Sequence, residues 1–152
     1  MSRTKILSTL AITFIFAFLP RLSSAQALAK VTSVRCKFSL MAISSLRNEP
    51  PTAEIKPADL ELQFDAVNAD EGTAQLKNFI GAYDIVVRYA QPYLNFIQSF
   101  REGKVYLTTI LEQKTKSGKF KAMHSRHEFT SVALPSFTSS PEQYYGECEI
   151  LK

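Results

Sequence analysis

Between residues 83 and 111 the chain repeats with a period of two, and this constrains the fold more than any other feature of the sequence. Three runs, 83–89, 93–100 and 104–111, are rich in Val, Ile, Tyr, Phe and Thr, which suit a pleated, half-buried surface. Successive strand side chains point to opposite faces. Tyr83, Ile85, Val87 and Tyr89 therefore share one face of the first run, opposite Asp84 and Arg88. Leu94, Phe96 and Phe100 share a face of the second with Gln98, opposite Asn95 and Ser99. Val105, Leu107, Thr109 and Leu111 line up in the third. A helix would need a period of 3.6, which these runs lack. A two-residue turn at Glu102-Gly103 pairs Phe100 with Val105, Phe96 with Thr109 and Leu94 with Leu111, so turn length and apolar pattern agree. Ala90-Gln91-Pro92 makes the other reversal, since Pro92 has no N–H to give to the ladder of a central strand.

Strands are predicted on both sides of this stretch. A first strand over 30–43 places Val34, Cys36, Phe38 and Leu40 inward, against Arg35, Lys37 and Ser39. Residues 44–57 hold Pro50, Pro51 and Pro57 and read as an irregular connection. Residues 59–67 alternate Leu60, Leu62, Phe64 and Ala66 against Asp59, Glu61, Gln63 and Asp65. A shorter strand over 73–77 turns Ala74 and Leu76 inward. Beyond a Ser117-Gly118 turn come a strand over 119–130, a Ser/Thr/Pro-rich loop over 135–141 and a last strand over 143–151. In the last, Tyr144, Gly146, Cys148 and Ile150 share a face. Eight strands in succession predict an all-β fold, an eight-stranded antiparallel up-and-down barrel, because closure removes the exposed edges of a meander. A β-sandwich is the alternative. The outline of export segment, eight strands and one terminal cysteine pair resembles lipocalin-like barrels and small periplasmic inhibitor barrels. The resemblance is one of architecture, with no motif of either group present.

Arg3 and Lys5, an apolar run over 6–19, Pro20 and Ser23-Ser24-Ala25 have the layout of a secretory signal peptide over 1–25. The apolar run is short for a membrane span, which needs roughly 20 residues. One domain over 26–152 is then expected, secreted or periplasmic, with no stable membrane insertion after signal removal. Loss of Arg3, Lys5 and Arg21 leaves 15 Lys and Arg against 14 Asp and Glu. That near balance gives no case for a nucleic-acid partner. The oxidising compartment and matched inward parity of Cys36 and Cys148 predict a disulfide joining first strand to last.

The densest chemistry is His124-Ser125-Arg126-His127-Glu128. Residues three apart on a strand face opposite ways, so His124 and His127 cannot converge on one metal ion. With Lys119 and Lys121 in water, Phe120, Ala122, His124, Arg126 and Glu128 point inward. Buried ions must be paired, and an Arg126–Glu128 pair with a hydrogen-bonded His124 meets that need. The same row can instead line a ligand site with Tyr144. Arg126 would then take an anionic head group, His124 would titrate near neutral pH, and Leu94, Phe96 and Val87 would meet the apolar part. Catalysis would need a nucleophile beside His124, and Ser125 lies on the other face. No nucleophile elbow or phosphate-cradling glycine loop is present, and no cofactor is implied. The expected function is a non-enzymatic binding protein for a small apolar or amphipathic ligand. A protein–protein module or inhibitor acting through its loops is the alternative, and a small hydrolase is the third class.

Overall fold

The computed structural model describes residues 27–46, 49–129 and 140–151. The expected signal peptide and most of the loop over 135–141 lie outside them. Eight antiparallel strands follow one another round a closed barrel: β1 (Val34–Ser45), β2 (Thr52–Asn68), β3 (Thr73–Lys77), β4 (Ala82–Ala90), β5 (Tyr93–Ser99), β6 (Val105–Lys114), β7 (Phe120–His127) and β8 (Glu142–Ile150). The first strand pairs with the last, and Cys36 stands directly opposite Cys148, to which it is disulfide-bonded.

One end of the barrel is closed by the residues that precede β1. Leu28 and Val31 are buried, and the Leu28 amide donates to Glu112 Oε1 at 3.3 Å. The Tyr89 hydroxyl donates to the same oxygen at 3.2 Å. Above this plug the interior is solid: Val34, Val87, Leu94 and Ile110 are fully buried, and Phe64 stacks on Phe96 with ring centroids 4.0 Å apart. At the opposite end, where β2, β4, β6 and β8 begin, the described residues leave a half-open cavity.

Four expectations are corrected. β6 turns Tyr106, Thr108 and Ile110 inward, and Val105 is exposed. The cause is the hairpin loop, which has three residues rather than two: Phe100 N bonds Lys104 O, and Phe96 pairs with Thr108. Gly103, with φ 86°, takes the left-handed position that ends such a loop. A slip of one residue moves a whole strand to its other face. In β1 an irregularity between Phe38 and Leu40 sends both Ser39 and Leu40 outward and brings Met41 in. In β2 a second one between Asp65 and Asn68 leaves Ala66 exposed with φ 49° and buries Val67 instead. Most of the expected irregular connection over 44–57 is strand. β2 starts at Thr52 and includes Pro57, paired with Leu40.

Candidate functional site

At the open end, β7 carries His124 and Arg126 inward, as parity requires. β8 begins with Glu142 and Tyr144 on the adjoining inward positions, Arg126 opposite Glu142 and His124 opposite Tyr144. β6 adds Thr108 and Tyr106, opposite His124 and Arg126 on the other side. Three neighbouring strands thus bring six polar or aromatic side chains together in two rows.

The lower row is tied together by hydrogen bonds through His124. The Arg126 Nε–H, which can only donate, meets His124 Nε2 at 3.4 Å. Nε2 therefore accepts, the imidazole proton sits on Nδ1, and Nδ1 donates to Thr108 Oγ1 at 2.8 Å. Burial, then the nearby Arg126 charge, pushes the His124 pKa down to about 4. His124 is consequently neutral at neutral pH, and the expectation that it titrates there is corrected.

The upper row surrounds a guanidinium. The Arg126 Cζ lies 5.4 Å from the centre of the Tyr106 ring and 5.1 Å from that of Tyr144, cation–π distances on both sides. Its Nη1 is 3.5 Å from Glu142 Oε2, the oxygen to which the Tyr144 hydroxyl donates at 2.5 Å. Glu128 takes the Tyr106 hydroxyl at 2.7 Å and has Lys104 at 3.8 Å. The expected Arg126–Glu128 pair is therefore replaced by Arg126–Glu142 and Tyr106–Glu128. Burial first, and each tyrosine's glutamate second, pushes Tyr106 and Tyr144 up to about 12. Both hydroxyls stay protonated donors.

Above these rows lies a half-open cavity of about 780 Å³. His124, Arg126 and Gln98 supply its polar floor, and Leu62, Leu76, Phe79, Phe100 and Tyr106 much of its apolar wall. Beneath it a void of about 10 Å³ lies over Phe64 and Phe96, at the threshold for a single water. Leu94, Phe96 and Val87 are not among the residues that line the cavity. Of the four predicted site residues, His124 and Arg126 line this cavity; Tyr144 flanks Arg126 from behind, and Glu128 acts through Tyr106. Sequence reasoning missed Tyr106 because of the hairpin slip, and missed Glu142 by starting β8 one residue late. Both were recoverable, from Gly103 as the end of a three-residue loop and from the shared parity of Glu142 and Tyr144. Among the described residues no group of His, Cys, Asp or Glu is assembled to hold a metal. Comparison of the chain with protein-family models, with curated proteins and with solved structures finds no match in any of the three, so the site is read from its own chemistry.

Proposed function

We propose that this chain is an exported, non-enzymatic binding protein that holds a small amphipathic ligand in the cup at the open end of its barrel. One observation carries the reading: a cavity of about 780 Å³ sits above a solid core and has an aromatic-flanked guanidinium on its floor. A cup of this size suits a small molecule. Arg126 fits a carboxylate or similar head group, because its planar fork offers paired donors. The rim of Leu62, Leu76, Phe79 and Phe100 fits a short apolar body. The solid core below excludes a long chain threaded down the barrel axis.

A fluorescent medium-chain fatty-acid probe tests this. Wild type should bind it, and Arg126→Met should weaken binding about ten- to hundredfold, the worth of a charge-assisted hydrogen bond. Phe79→Ala should weaken binding severalfold at an unchanged melting temperature, since Phe79 is 98% exposed and holds nothing in place. Thermal melting of Arg126→Met separates a lost ligand contact from a collapsed site, because Glu142 loses its cation there. The absence of saturable binding by wild type would refute the reading. The loop-mediated alternative would then take its place, supported by Phe79 and by Ile80, which is 71% exposed in the same β3–β4 turn.

A further inference from the structure

Within the closed ring of strands, part of β2 presents an open edge among the described residues. β2 is 17 residues long, but β3 pairs only with its last part, from Gln63 onward. Over residues 53–61, β1 is the sole strand partner of β2 among the described residues. Residues 53–57 are exposed, and Ile55, at 74%, is an apolar side chain standing on the outer face. An open edge of this kind is a template for another strand.

Pro57 determines which backbone groups face outward. Antiparallel pairs alternate between those that exchange two hydrogen bonds and those that exchange none. Pro57 has no N–H, so its pairing with Leu40 is of the second kind. The register from Leu40–Pro57 to Ser45–Thr52 is unbroken, so Glu54 and Lys56 turn their backbone groups toward β1. Ala53, Ile55 and Pro57 turn theirs to the open side.

We propose that two copies of this chain pair antiparallel along this edge, about a two-fold axis at Ile55. In that register Ile55 exchanges two hydrogen bonds with its copy. The Ala53 N–H of each protomer donates to the Pro57 carbonyl of the other, the one group Pro57 offers. Glu54 then stands opposite Lys56 of the second copy, and Lys56 opposite its Glu54, in the pairs whose side chains approach most closely. Both charges share the inner face of the strand and already meet within one chain, at 2.6 Å. A charged residue and a proline ordinarily blunt an edge against strand addition. Here the charges are of opposite sign and two residues apart, so they oppose most other sequences and complement their own. The result is an isologous contact that closes on itself at two subunits. It does not depend on the ligand reading, because the edge lies outside the barrel interior.

Sedimentation equilibrium of the mature chain, from micromolar to millimolar concentration, tests the pairing. Wild type should show a monomer–dimer equilibrium, with amide exchange at Ala53 and Ile55 slowing as concentration rises. Glu54→Lys alone and Lys56→Glu alone each place like charges opposite one another twice, and should weaken the dimer about tenfold or more. The double variant Glu54→Lys/Lys56→Glu restores both pairs and should recover wild-type association. These side chains are half-exposed or more, so the barrel should fold unchanged in all three. A wild type that stays monomeric throughout would overturn the proposal. So would single variants that dimerise as wild type does, or a double variant that fails to recover.

Discussion

Burial among Phe38, Tyr106 and Tyr144, whose ring centres lie 5.8, 6.0 and 5.8 Å from its own, makes protonation of His124 costly. Arg126 adds a like charge beside it, while Glu142 and Glu128 are held by Arg126, Lys104 and the two tyrosines. With its pKa lowered from 6.5 to about 4 in the folded barrel, His124 takes up its proton more readily in the unfolded chain. Its contribution to stability is therefore complete above pH 6.5 and lost as pH falls toward 4, by on the order of 3 kcal/mol. Urea unfolding across that range should show stability falling with pH. His124→Phe should show a shallower fall, at the cost of leaving the Thr108 hydroxyl without its imidazole. Equal slopes in the two proteins would place the acid sensitivity elsewhere.

At the scale of the element, the seam between β1 and β8 depends on one glycine. Gly146 stands opposite Phe38 where the register shifts. A Cβ at Gly146 would come within 2.0 Å of the Lys37 carbonyl oxygen and 2.7 Å of Phe38 Cα. Those are backbone atoms, which cannot rotate aside as a flexible side chain would. Gly146→Ala should thus cost at least about 1–3 kcal/mol, the usual penalty of overpacking, with the midpoint of denaturant unfolding as the measure. The same irregularity sends Leu40 outward, where it meets Pro57 on β2 and Tyr145 on β8. It thereby joins Ile55 and Tyr145 in an exposed apolar strip beside the open edge of β2.

The whole molecule is closed by one covalent bond at that seam. Cys36 and Cys148 are 112 residues apart, and both are fully buried. A cross-link of that span should contribute about 4–5 kcal/mol by restricting the unfolded chain. Reduction should lower the melting temperature markedly, and alkylation of the native, unreduced protein should label neither cysteine. Unchanged melting after verified reduction would show that strand pairing alone holds the ring shut.

The all-β class, the eight strands in order, the inward faces of β3, β4, β5 and β7, and the pairing of the two cysteines were legible in the sequence. Each follows from period-two alternation or turn residues, which act between near neighbours. The order of Val87, Phe96 and His124 toward the interior needed nothing beyond parity. The inward face of β6, the exposed Ala66 and the outward Leu40 were decided by tertiary structure. Each depends on a single extra residue in a loop or bulge, and only the partner strand fixes where that residue goes. The polar site divides in the same way. That Arg126 points inward and needs a carboxylate follows from its strand. That the carboxylate is Glu142 rather than Glu128 follows from which strand closes the barrel beside it, because cross-strand neighbours approach more closely than residues two apart along one strand.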